Sequence, residues 1–294
     1  MAIIDDLKLK YRQGSMLMRI IYINIAVCVL MNMVALVSLL SGIDAVGIFK
    51  WIEVSSNPWE VLYKPWTLIT YAFAHTAILH ILFNMLWLYW LGRIFLEYFT
   101  SKQLAGLYVL GALGGAILFL LACNCIHALS SPGSYMLGAS AAVIAIVVAA
   151  AVYTPDYKIG MLFIGDVSLK WVAIVTVLID LLSIEGLSNA GGHIAHLGGA
   201  LVGAVYALMM RRGHDITAPL NAIIDRLYGL FSRKKPGVGS PVGGTAYRGN
   251  AQQSSSGTAT EADLDRVLAK IRRSGYSALT DEERDILFSF TKKK

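Results

Sequence analysis

Six apolar stretches, separated by shorter polar segments, set the pattern of the chain. They run from Ile20 to about Ser41, Leu68 to Leu91, Leu104 to Cys123, Met136 to Thr154, Trp171 to Ile184 and His193 to Met210. In the second, the helical reading is firm from Ile78. Its first part, with Thr70, His75 and Thr76, is ambiguous between loop and helix. About 20 apolar residues cross a bilayer's hydrocarbon as a helix, so the pattern predicts an all-α polytopic membrane protein with six spans. Pro155 ends the fourth span, because the residue before a proline is pushed out of helical geometry. Gly111 and Gly115 in the third have GxxxG spacing, which permits close backbone approach. Residues 42–66 are polar and aromatic. Trp51, Trp59, Tyr63 and Trp66 there suit the headgroup level. The short apolar fragment 160–167 reads as interfacial.

The polar segments add orientation. Lys and Arg lie before span one, after span two (Arg93, Lys102), after span four (Lys158, Lys170) and after span six (Arg211, Arg212). The loops after spans three and five have none, so both termini are expected in the cytoplasm. Lys50 and Lys64 in the first loop are accompanied by Asp44, Glu53 and Glu60. Beyond the spans, Leu220, Ile223, Ile224, Leu227, Leu230 and Phe231 repeat at helical spacing beside basic residues. Residues 213–235 therefore read as an amphipathic basic segment attracted to anionic lipid. Residues 236–260 are rich in Gly, Ser and Gln, as a flexible linker is. Residues 261–294 carry two helix signatures and read as a small helical hairpin. Such a unit is marginal alone and is expected to dock on a cytoplasmic partner.

Composition agrees. The 294 residues are 56% hydrophobic and only 15% charged, against about 25% charged in soluble domains. The net charge of +6 is topological, since no basic cluster is interleaved with stacking aromatics for nucleic acid. Cys28, Cys123 and Cys125 are too few for a disulfide framework. The first apolar run is longer than a signal-peptide core and lacks an obvious cleavage site, so no cleavable leader is expected.

Polar residues inside spans are costly and point to function. Span two has His80 and Asn84 one turn apart, span four Ser140, and span six His193 and His196. All three spans begin on the outer side. Ser140 lies five residues in, about 7 Å below the start at 1.5 Å per residue, and the histidines fall at a similar depth. Gly138, Ala142, Ala145 and Ala149 form one small-residue stripe; His196, Gly199 and Gly203 share a face of span six. Close packing of these faces brings Ser140 within reach of His196, which then acts as general base to a serine nucleophile. His80, Asn84 and the Ser140 amide are candidates to hold the oxyanion. No third carboxylate has an obvious place, and Asp180 is the only acid within a firm span. Two other readings stand beside this one. His75, His80, His193 and His196 can ligate a transition metal, making the chain a metal or ion transporter, although no carboxylate accompanies them and no HExxH motif occurs. The third reading is a non-catalytic membrane scaffold acting through its tail.

The motifs resemble those of the rhomboid family of intramembrane serine proteases. Gly138-Ala139-Ser140-Ala141 looks like the family's GxSG nucleophile motif, Ala195-His196-Leu197-Gly198-Gly199 with Gly203 its AHxxGxxxG motif, and His80 to Asn84 its HxxxN motif. The resemblance covers roughly residues 15–212. It implies a bacterial-type six-helix bundle and a Ser140–His196 dyad without a third acid. The implied oxyanion site is His80, Asn84 and the Ser140 amide. It implies no cofactor and no metal. It prefers His196 over His193 as the base, because only His196 has the glycine spacing. His75 is a structural or water-organising candidate, and Trp66 looks like the tryptophan of a first-loop Trp-Arg motif. The implied substrates are single-pass membrane proteins, cut in or beside their spans by a site open to the outer face of a bacterial inner membrane. The sequence departs from the family at three places. Ala141 replaces the motif's second glycine, Thr67 the arginine after Trp66, and Ile144 a tyrosine one turn after the nucleophile.

Overall fold

The computed structural model describes residues 15–42, 44–129, 133–161, 165–184 and 189–231, with 263, 264, 267, 268 and 283. The chain divides into two units, Met1–Arg233 and Lys234–Lys294. In the second, the described residues 263–264 and 267–268 are helical and Val267 is buried. The expected linker and most of the expected hairpin lie outside the described residues.

Each predicted span corresponds to one helix, named here α1 (Met16–Ser41), α2 (Ile78–Tyr98), α3 (Ser101–Cys125), α4 (Ser140–Tyr153), α5 (Leu169–Ser183) and α6 (Ala190–Arg211); the ambiguous start of the second span forms instead a single turn at Thr67–Thr70 and a 3-10 turn at Tyr71–Phe73. Local chemistry sets several boundaries. Ser15 caps α1 by accepting the Met18 N–H, so the helix starts at Met16, four residues before the expected Ile20. Gly42, at φ 73°, closes that helix in the left-handed conformation. Thr100 and Gln103 form a reciprocal capping box at the start of α3. Among the described residues, α1, α2, α3 and α6 are long and apolar enough to cross a membrane. The 14-residue α4 and 15-residue α5 are shorter.

Helix α4 sits at the centre, packed against α6, α3 and α2, and residues 141–151 are all buried. Its alanines and valines allow this, since helices without an interhelical hydrophobic drive associate through small residues and close contact. A Cβ on Gly199 or Gly203 of α6 would run into the backbone of Ala141 or Ala145. One on Gly111 would meet the Ala145 methyl at 2.5 Å. Helix α1 packs on α2 and α3, and α5 packs on α6 and α4. Much of α5, including Trp171, Ile174, Val175 and Leu178, faces outward. A buried polar knot ties the bundle to its first loop. The Asn24 amide donates to the Tyr108 hydroxyl (3.1 Å), which donates to the Ala72 carbonyl (2.6 Å).

The first loop contains short helices at Ala45–Phe49 and Pro58–Tyr63, with β1 (Val54–Ser55) between them. β1 pairs antiparallel with β2 (Tyr135–Met136), immediately before the Ser140 motif. The fragment read as interfacial is a hairpin, β3 (Lys158–Met161) with β4 (Gly165–Ser168). After α6, α7 (Ala218–Phe231) packs on α3, and Lys102 pairs with Asp225 at 2.7 Å.

Candidate active site

Ser140 is the first residue of α4, not five residues into it. The preceding residues do not continue the helix. Gly138 has φ 126°, outside helical geometry and reserved for glycine. A Cβ there would come within 2.7 Å of the His80 ring. The chain reaches α4 as a strand and a turn, held by the Gly138 N–H donating to the Tyr71 carbonyl (2.9 Å). The Ala139 N–H donates to His75 Nε2 (3.2 Å). His75 is fully buried and packs edge-on against His80, with ring centroids 5.1 Å apart. It therefore supports the turn before Ser140 from behind.

This placement changes what surrounds the hydroxyl. A serine within a helix bonds its own i−4 carbonyl; a serine at the first position has none to bond. Ser140 Oγ instead lies 2.6 Å from His196 Nε2. The first N–H groups of a helix also have no intrahelical partner and carry the positive end of its dipole. The Ser140 amide belongs to that set, which suits a developing oxyanion.

His196 is held on its other side by Asp180, whose Oδ1 is 2.7 Å from His196 Nδ1. The same oxygen is 2.9 Å from His193 Nδ1. Asp180 is 5% exposed. The expectation that no carboxylate accompanies the histidines is corrected here, because α5 brings Asp180 onto both. A depth count contained the signal. Asp180 lies four residues before the predicted end of span five, about 6 Å, which matches His196 at the start of span six. Asp180, His193 and His196 place their ligand atoms within 4.8 Å of one another, a spacing that also admits a metal ion. The four-histidine metal set is not assembled in this way, since His75 pairs with His80 instead.

A cavity of about 270 Å³ opens over the pair, lined by Ser140, His196, His80, Gly138 and Ala141, among others. Thr76, Asn189 and Gly192 also line it and were not singled out in the sequence. Asn84 is not among the lining residues; its amide donates to the His80 carbonyl at 3.0 Å. The Ala141 side chain is buried and faces Gly115, where an added Cβ would stand 2.6 Å from it. A glycine on α3 thus makes room for the extra methyl. Ile144 is buried. Trp66 lies away from the cavity. Its indole N–H donates to the Trp51 carbonyl (2.9 Å) and its ring stacks on Trp51. Thr67 is buried, its hydroxyl donating to the Lys64 carbonyl (2.7 Å).

The fold class is an all-α polytopic membrane bundle in which Ser140 and His196 face one cavity. Residues 63–213 match the Rhomboid domain family model, just over half of the chain, and the protein belongs to the rhomboid family. It is 37% identical over 159 residues to RHOMBOID-like protein 12, mitochondrial, of Arabidopsis thaliana, covering 50% of this chain and 47% of that protein. The chain thus spans about half the length of that curated relative.

Proposed function

We propose that the protein is an intramembrane serine endopeptidase in which Ser140 is the nucleophile and His196 the general base. The 2.6 Å approach of Ser140 Oγ to His196 Nε2 carries this reading. Ser140 Oγ attacks the carbonyl carbon of the scissile peptide while its proton passes to His196 Nε2. The developing oxyanion is held by the Ser140 amide at the α4 N-terminus, with His80 as the second donor. Asn84 braces the same turn of α2 by donating to the His80 backbone carbonyl. Collapse breaks the C–N bond, and the His196 proton goes to the leaving amine. Water, activated by His196, then cleaves the acyl-enzyme and restores Ser140. The substrates are single-pass membrane proteins cut in or beside their spans. The domain crosses a bacterial inner membrane six times, with both termini in the cytoplasm and the cavity open to the outer face. The amphipathic α7, followed in the sequence by Arg233, Lys234 and Lys235, lies at the inner interface, and residues 261–294 bind a cytoplasmic partner.

The test is cleavage of a single-span reporter by the purified protein and by Ser140→Ala and His196→Ala. Both variants are expected to lose activity by about 10³-fold or more; wild-type turnover in either rejects the mechanism. The Asp180–His193–His196 cluster favours metal binding as a second reading. Cleavage that survives exhaustive chelation excludes a metal-dependent activity.

A further inference from the structure

We infer that Asp180 is a positioning residue of this site, holding His196 in the tautomer and orientation that the Ser140 proton transfer needs. The inference rests on the protease reading and goes beyond a two-residue mechanism. A carboxylate only accepts hydrogen bonds. A ring nitrogen 2.7 Å from Asp180 Oδ1 must therefore carry the proton, which puts it on His196 Nδ1. In a neutral imidazole, Nε2 is then left with its lone pair, and Nε2 is the atom 2.6 Å from Ser140 Oγ. When His196 takes the serine proton, the ring becomes cationic, and the adjacent carboxylate stabilises it in a setting of low dielectric.

The surroundings of Asp180 support a dedicated role. It is an acid near the end of a largely outward-facing apolar helix, where a buried charge is costly unless paired. A bond to His193 alone would anchor α5 to α6. Instead, one oxygen is shared by two histidines one turn apart on α6, and the shorter approach is to the residue that faces Ser140. His193 fixes the carboxylate, and the carboxylate fixes His196. Helices α4 and α5 contribute one member each, Ser140 and Asp180, and α6 contributes two, His193 and His196.

The experiment compares wild type, Asp180→Asn, Asp180→Glu, Asp180→Leu and Ser140→Ala in detergent. It measures kcat and KM on one transmembrane reporter, the rate of Ser140 labelling by a fluorophosphonate, and thermal unfolding. Asp180→Asn keeps the size but removes the charge, and its NH₂ can donate to Nδ1 and select the wrong tautomer. We expect its kcat to fall at least 10-fold, with KM changed less than about 2-fold and labelling slowed in parallel. Asp180→Glu should recover part of the loss. Asp180→Leu, compatible with a lipid-embedded helix, reads the same quantity should the asparagine variant not fold, and should match its kcat loss. A purely structural anchor would lower the unfolding temperature and leave kcat of the folded fraction intact. Wild-type kcat in a folded Asp180→Asn or Asp180→Leu, with Ser140→Ala inactive, overturns the positioning role alone. Activity in Ser140→Ala overturns the protease reading itself.

Discussion

Gly138 and His75 show how much of the site depends on residues that do no chemistry. The left-handed turn at Gly138 aims the chain into α4 and leaves room for the His80 ring. Gly138→Ala combines an unfavourable φ, worth about 1–3 kcal/mol, with a clash against that ring. The expected outcome is loss of most cleavage and of fluorophosphonate labelling, with a modest fall in unfolding temperature. Full labelling would show that the turn tolerates a side chain. At Ile144, the family resemblance expects a ring beneath the histidine. An isoleucine offers no polar restraint, and here the restraint on His196 comes from Asp180. Ser140, His196 and His80 were legible as candidates from their motif spacing, although Ser140 opens α4 rather than lying five residues into it. Asp180 was seen as an isolated acid, because nothing local to span five points toward its partner.

At the scale of elements, the contact between α4 and α6 sets the distance between Ser140 and His196. Gly203 meets the backbone of Ala145 with no room for a Cβ, so a larger residue must wedge the helices apart. Gly203→Leu is expected to cost about 1–3 kcal/mol, lowering the unfolding temperature and abolishing cleavage while leaving Ser140 and His196 in the sequence. Retained activity would mean that the helices close by another route. The stripe of small residues was readable as a packing face. Its exact partners were not, since Ala141 and Ala145, rather than Ala142 and Ala149, meet the α6 glycines. The start of α4 was misplaced for a related reason. Residues 136–139 are as apolar as a span, and hydropathy does not register the backbone turn that makes them a strand and a loop.

Across the whole molecule, the first loop is fastened to the turn before Ser140 by the β1–β2 pair and by Glu60. Hydrogen bonds from Ser55 and from the Tyr135 hydroxyl hold the Glu60 carboxyl below its usual range; the tyrosine contacts are 3.1 and 2.9 Å. A carboxylate depressed by folding contributes stability above its ordinary value of 4.5, and that contribution is lost as pH falls through the folded value. Below pH 4.5 the unfolding temperature of the wild type should therefore fall more steeply than that of Glu60→Gln, the two curves converging as Glu60 protonates. Parallel curves down to the acid limit would remove Glu60 from the clamp.

The sequence alone determined the class of the molecule, because bilayer thickness and the cost of buried charge leave few readings for six apolar runs with polar groups at one depth. It also singled out Ser140 and His196, whose motifs are local. Only the tertiary structure decided that Ser140 opens its helix, that Gly115 makes room for Ala141, and that Asp180 reaches His196. The first follows from a backbone turn and the other two join residues apart in the chain through shape, and neither leaves a periodic mark in the order of amino acids.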